Sequence, residues 1–283
     1  MKIIQIGHGT VGKVLLEKLK QKNIDIVCVV KSDGIYNSNL EKIDEKKNFE
    51  SYLRNIDAVF VATPSIGKGD LTFPYVLKSL ENNIPVITCE KASLAYHWDK
   101  LSDYKDLILN TATVGVGARM LKKIKEFNKE IVEIKGVING TLNYISSELK
   151  NGKTKELITR EVLEKGFAEP GADDFDSIIK SELNDVLLKA VITSNSSGIF
   201  NQIIKPEKIE PVYFKKDKVC IVQINKKETK IGFIEDINSG WIPDGVENCL
   251  LINNEKVASG PGAGPGITAD VMIEDFEDYF NKV

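Results

Sequence analysis

The segment Gly136–Ile145, GVINGTLNYI, gathers more polar chemistry at one corner than a generic nucleotide-binding turn needs. Four apolar or small residues read as a strand arriving at Asn139. Gly140 then permits a tight turn, and Thr141-Leu142-Asn143-Tyr144 opens a helix. Backbone N–H groups, a hydroxyl, two amides and a phenol would surround that corner. Helix N-termini favour anions, so it could hold the carboxylate of a small polar metabolite. The same residues also make an ordinary Asn-Gly turn with Thr141 as its N-cap. On this segment alone both readings stand.

Two lysines are placed to meet developing negative charge. Lys91 follows the apolar strand Pro85–Thr88 at the edge of a sheet where ligands bind. Lys189 lies four residues after Asp185, so the two share one face of a helix, which also describes a surface ion pair worth about 0.3–0.5 kcal/mol. At the N-terminus Gly7-x-Gly9-x-x-Gly12 follows a strand and opens a helix, with Thr10 and Val11 in its first turn. Its glycines suit a tight turn, close approach to a pyrophosphate and helix–strand packing, which predicts dinucleotide binding. About 20 positions on, where an acid normally reads the ribose 2′-hydroxyl, the chain has Lys31-Ser32-Asp33. Lys31 and Ser32 suit a 2′-phosphate, so NADP is expected, with NAD the alternative that Asp33 keeps open. The Ala62-Thr63-Pro64-Ser65 loop could contact the nicotinamide ribose or be a simple proline turn. The run Gly260–Gly266, which includes Gly262, Ala263 and Gly264, lets a backbone approach a flat ring, though such runs are often merely flexible.

These groups need a scaffold. The first 112 or so residues alternate strand patterns (Lys2–Ile6, Ile24–Val30, Ala58–Thr63, Val86–Thr88, Leu107–Thr111) with helical ones, which predicts an α/β, Rossmann-type parallel sheet covered on both faces. Val116–Lys129 reads as a helix leaving that domain. A run of helices (Thr141–Lys150, Lys155–Lys165, Ser177–Thr193) is followed by short strands beyond Pro211, an α+β texture. A final helix is expected over Thr268–Asn281.

Composition narrows the classes. The 283 residues carry a net charge of -3 and 42% hydrophobic residues, as a globular protein does. Arg54, Arg119 and Arg160 are its only arginines, a poor kit for phosphate or base recognition, so no nucleic-acid partner is expected. Cys28, Cys89, Cys220 and Cys249 form no C-x-x-C pair and predict neither metal site nor disulfide framework. The chain runs directly into a strand and has no apolar run of membrane-spanning length. A cytoplasmic location without membrane association is the expectation.

Taken in order, these motifs resemble the homoserine dehydrogenase family: GHGTVG (Gly7–Gly12), Glu90-Lys91, Asn139–Tyr144, GFAE (Gly166–Glu169), Asp185 with Lys189, and GPGAGPGITAD (Gly260–Asp270). The resemblance implies hydride transfer between a nicotinamide and L-homoserine or L-aspartate 4-semialdehyde. It implies Lys189 as donor or relay to the carbonyl oxygen, Asp185 as its orienting partner, and Lys91 as charge stabiliser near the nicotinamide. By the same resemblance Glu169 takes the substrate ammonium, Thr141, Gly140 and Asn139 hold the carboxylate end, and the last helix returns to the nucleotide domain. The domains expected are then 1–128 with 259–283, and 129–258 for substrate binding and homodimerisation.

Departures accompany it. Glu90 replaces an Asn, Phe167 a Tyr, and Lys180-Ser181-Glu182-Leu183 an acidic, Gly-containing approach to Asp185. The short insertion 171–179 contains Asp173, Asp174 and Asp176, one of which is expected to replace the lost acid, with Asp174 taken as substrate-binding. Thr111 stands where many relatives have a sodium-site Glu, and no metal is predicted. No kinase or regulatory domain is read. A related dehydrogenase of another small amino or oxo acid, and a nucleotide-binding sensor without catalysis, remain the alternatives.

Overall fold

The computed structural model describes residues 1–169, 171–235, 240–262 and 264–281. The chain forms two compact units, Met1–Thr113 with Gly264–Val283, and Val114–Ala263.

The first unit opens with β1 (Lys2–Ile6), α1 (Thr10–Gln21), β2 (Asp25–Lys31), β3 (Gly34–Tyr36) and β4 (Lys42–Asp44). It continues through β5 (Ala58–Val61), α2 (Phe73–Glu81), β6 (Val86–Thr88), α3 (Ala92–Leu101) and β7 (Ile108–Leu109). These strands make one sheet in the order β4-β3-β2-β1-β5-β6-β7. The five from β2 to β7 in that order run parallel, and β3 and β4 add an antiparallel edge. Ile3, Ile4, Val59, Phe60, Val86 and Ile87 are fully buried, as strands covered on both faces require. From β1 the chain steps to β2 on one side and later to β5 on the other. The strand order therefore reverses at the C-terminal ends of β1 and β5, the place where such sheets bind ligands. The sequence pattern did not show β3 and β4, because three-residue strands are too short for a period of two to register.

The second unit holds α4 (Met120–Glu126), β8 (Glu133–Val137), α5 (Gly140–Lys150), α6 (Lys155–Glu164), α7 (Phe175–Ser197), β9 (Val219–Asn225), β10 (Thr229–Ile234), β11 (Glu247–Ile252) and β12 (Glu255–Pro261). Its sheet, in the order β10-β9-β8-β11-β12, is antiparallel throughout. The helix expected over Val116–Lys129 is shorter than its pattern. Gly115 and Arg119 adopt left-handed backbone, and Gly117 sits where a side chain would collide with the Pro261 carbonyl. These turns pack on β12, so α4 belongs with the second unit. The last helix, α8 (Pro265–Phe280), belongs with the first and lies along α1 through Lys18–Asp270 at 2.7 Å and Lys22–Glu277 at 2.6 Å. Among the described residues no helix is long and apolar enough to cross a membrane.

Candidate active site

In the first unit the residues at the β1–α1 turn leave no choice of side chain. Gly7 has φ +93°, and a Cβ there would run into the Ala62 carbonyl at the end of β5. A Cβ on Gly12 would stand 2.5 Å from the Gly7 carbonyl oxygen. Gly9, by contrast, faces open space and is the N-cap of α1 without any side-chain cap, so among the described residues the first-turn N–H groups of Thr10 and Val11 meet no protein acceptor. A helix start left bare in this way, with no acidic residue in its first turn, fits a pyrophosphate. Gln5, which the motif does not include, braces the loop: its amide nitrogen donates to the carbonyls of Gly7 and Gly12, both at 2.8 Å. Burial first, and then the charges of Lys31, Lys13 and Lys20, lower the His8 pKa and disfavour its charged form.

Two loops at the same end of the sheet are tied together. The Thr63 hydroxyl shares a hydrogen bond with Thr72 at 2.9 Å, and Ser65 Oγ accepts from the Lys91 N–H at 2.8 Å. Glu90 is buried, and its carboxylate accepts from the N–H groups of Ala92 at 2.6 Å and Ser93 at 2.9 Å. It caps α3 and fixes the backbone of Lys91, although burial pushes its own carboxyl up. At the end of β2, Lys31 and Gly34 flank a two-residue turn, Ser32-Asp33, with Ser32 exposed.

The second unit carries a buried charge cluster. On α7, Glu182, Asp185 and Lys189 follow at i, i+3 and i+7, one face of a helix, and all three are less than a tenth exposed. Lys189 Nζ lies 2.6 Å from Asp185 Oδ2 and donates to the Ile138 carbonyl at 3.1 Å. Asn139 closes the cluster. Its amide nitrogen donates to Glu182 at 2.7 Å and to Asp185 at 2.9 Å, while its oxygen accepts from Leu142 N–H at 2.8 Å and so caps α5. The Glu169 N–H donates to the other oxygen of Glu182 at 3.0 Å. Burial first, and then the Asp185 charge, push the Glu182 carboxyl up to about 7.

The corner differs from its sequence pattern in three ways. Its cap is Asn139, since Thr141 lies inside the helix and its hydroxyl donates to the Phe167 carbonyl at 2.8 Å. Asn143 instead holds the carbonyls of Pro243 and Gly245, and the Tyr144 hydroxyl donates to Glu161 at 2.5 Å. What remains facing outward is the helix start itself: among the described residues the N–H groups of Gly140 and Thr141 take no protein acceptor. Gly140 is required, because a Cβ there would strike the Val246 carbonyl.

Asp174 stands apart from the cluster. Its exposed carboxylate accepts from Ser177 N–H at 2.8 Å in the capping box that begins α7, which holds its pKa down. The acid that fills the cluster is Glu182, which the sequence reading passed over. Its signal was present as the i, i+3, i+7 spacing to Asp185 and Lys189. In the glycine-rich stretch, Gly262 lies against the buried Asn248 amide, where a Cβ would be 2.9 Å from Asn248 Oδ1, and Gly264 leads into α8 with φ +146°. Ala263 lies outside the described residues. Among the described residues no group of three or more His, Cys, Asp or Glu is arranged for a metal ion.

Comparison with known proteins fits this geometry. A family model described as homoserine dehydrogenase matches residues 118–238, which include the whole of the buried cluster. A homoserine dehydrogenase of Methanocaldococcus jannaschii is 26% identical, with 100% of this chain and 99% of that protein covered. Over its whole length the chain is similar to this homoserine dehydrogenase. A crystal structure of a putative homoserine dehydrogenase from Archaeoglobus fulgidus superposes with a TM-score of 0.79 at 21% identity, covering 98% of both chains. A hyperthermophilic archaeal homoserine dehydrogenase in complex with NADPH gives 0.77 at 18% identity, covering 100% of this chain and 98% of that one. The Rossmann-type sheet with a second α+β unit is the fold these homoserine dehydrogenases share.

Proposed function

We propose that the protein is an NADP-preferring homoserine dehydrogenase that interconverts L-homoserine and L-aspartate 4-semialdehyde. The observation that carries this reading is the buried Asn139–Glu182–Asp185–Lys189 cluster on α5 and α7. A dinucleotide fits the Gly7–Gly12 cradle, with Thr10 and Val11 at the bare helix start and Thr63 and Pro64 on the neighbouring loop. The nicotinamide supplies or accepts the hydride. The protein's own residues do the rest.

An ammonium has three N–H groups. Lys189 places one on Asp185 and one on the Ile138 carbonyl, which leaves the third for a substrate oxygen. In reduction it donates to the carbonyl oxygen as that oxygen gains negative charge; in oxidation it receives the hydroxyl proton as the carbonyl forms. Asp185 orients it, and Lys91 stabilises charge beside the nicotinamide. The cluster has more carboxylates than cations, which suits a ligand carrying an ammonium: Glu169 and Glu182 take that group. The Gly140 and Thr141 N–H groups, at the helix start capped by Asn139, take the carboxylate.

The test is turnover of L-homoserine with NADP, followed by absorbance of the reduced cofactor at alkaline pH. Nucleotide binding without turnover in either direction would overturn the enzymatic reading. Lys31 and Ser32 are assigned the 2′-phosphate, so Lys31→Glu should weaken NADPH at least tenfold more than NADH, by loss and reversal of a charge-assisted bond. An unchanged ratio would remove Lys31 from the site. We also assign a cytoplasmic location and a homodimer formed through the sheet of the second unit, which a monomeric mass in light scattering would refute.

A further inference from the structure

The β2–β3 hairpin contains both signs of charge that choose between the two nicotinamide dinucleotides. An acid at this place accepts from a ribose 2′-hydroxyl, and a base pairs with a 2′-phosphate. Lys31 and Asp33 are two residues apart, close enough to neutralise one another. They do not. The Tyr36 hydroxyl donates to Asp33 Oδ2 at 2.6 Å, and the Tyr36 ring lies beneath the Lys31 ammonium, 3.9 Å from Nζ to the ring centre. The register makes this possible: Lys31 pairs with Gly34 and Val29 with Tyr36, so Lys31 and Tyr36 are diagonal neighbours on one face. Gly34 has no side chain, and the Lys42 stem packs over it, where a Cβ would lie 2.5 Å from Lys42 Cε. The Tyr36 ring itself is buried and fixed, 8% exposed. Among the described residues Lys31 makes no ion pair, and its charge remains available.

We propose that Tyr36 sets nucleotide selectivity by holding Asp33 with its hydroxyl and Lys31 with its ring, so that the hairpin presents the base and withholds the acid. Tyr36 is a positioning residue. It touches neither the reacting atoms nor the nicotinamide; it keeps two opposite charges from meeting. Without its hydroxyl, Asp33 turns either to Lys31, cancelling the charge that reads the 2′-phosphate, or to the ribose 2′-hydroxyl. Both moves favour NADH. The inference rests on the dinucleotide reading of the first unit.

Binding of NADPH and NADH to the full-length protein, measured separately by fluorescence of the bound reduced nicotinamide, tests it. Tyr36→Phe keeps the ring under Lys31 and removes only the hydroxyl. The NADH-to-NADPH ratio of Kd values should fall roughly tenfold, the size of one charge-assisted hydrogen bond, with NADPH weaker and NADH tighter. Adding Asp33→Ala to Tyr36→Phe should return the ratio toward that of the unmodified protein. A general loosening of the hairpin would weaken both nucleotides and leave the ratio alone, so a ratio within twofold of the original overturns the proposal. Should Tyr36→Phe not fold, Asp33→Ala alone decides. An acid already withheld can be deleted with the ratio kept within twofold, whereas a rise above fivefold in NADPH preference would show Asp33 reading the ribose all along. If the unmodified protein binds neither nucleotide, the dinucleotide reading fails instead.

Discussion

Replacement of Lys189 by Met should lower kcat for homoserine oxidation by about 10²–10⁴-fold, the usual contribution of a positioned proton donor, while the Kd for NADPH stays within a few-fold. The methionine fills the same space and lacks every N–H. It also leaves Asp185 buried without its cation, and breaking a buried pair costs about 3–5 kcal/mol. Loss of turnover could therefore follow from loss of structure. Lys189→Arg separates the two. It keeps the charge beside Asp185 and most of the stability, but a planar guanidinium cannot aim one proton at a substrate oxygen while also serving Asp185 and the Ile138 carbonyl. Low kcat in both variants, with the arginine form unfolding near the original midpoint, supports proton donation by Lys189. Near-normal kcat in the arginine form would reduce Lys189 to a counter-ion.

The nucleotide half of the molecule was legible because its constraints are local. Gly7, Gly9 and Gly12 lie within six residues, and the spacing reports the turn: Gly12 packs on the Gly7 carbonyl, while Gly7 also meets the Ala62 carbonyl and Gly9 faces open space. Parallel strands buried on both faces appear in the sequence as plain apolar runs. The second half was legible only in part. Asp185 and Lys189 announced themselves through their spacing, but Glu182 did not, because a glutamate on a long helix is usually a solvated one. What makes it otherwise is Asn139, 43 positions away, and no local pattern reports that contact. Asp174 shows the opposite case. It looked like the missing acid by proximity in sequence, yet the start of α7 needs a cap and Asp174-Phe175-Asp176-Ser177 provides one. A distant partner decided Glu182 and a local cap decided Asp174, while at Arg119 a left-handed backbone delays the start of α4 to Met120, where the turns before it pack on β12.

Asn139→Ala is expected to be strongly destabilising. It removes the α5 cap, worth about 1 kcal/mol, and the two amide hydrogen bonds that separate the Glu182 and Asp185 carboxylates. With those carboxylates left side by side in a buried site, the total loss should reach about 3–5 kcal/mol at pH 8. The pH dependence identifies the cause. Glu182 keeps its proton in the folded state up to about 7, against 4.5 when unfolded, so between those values the folded form binds more protons. Stability of the unmodified protein should therefore fall as pH rises through that window. Removing Asn139, whose hydrogen bond favours the ionised carboxylate, raises the Glu182 pKa further and extends the falling limb to higher pH. Glu182→Gln removes the titrating proton and should flatten this limb in both backgrounds. Chemical denaturation of the four proteins at pH 5 and pH 8 makes the comparison. At pH 8 the alanine substitution should cost less when Glu182 is already Gln, because one of the two charges it strands is gone. Equal costs in both backgrounds, or costs that ignore pH, would mean that Asn139 only caps a helix and that the acids of α7 do not act as a coupled pair.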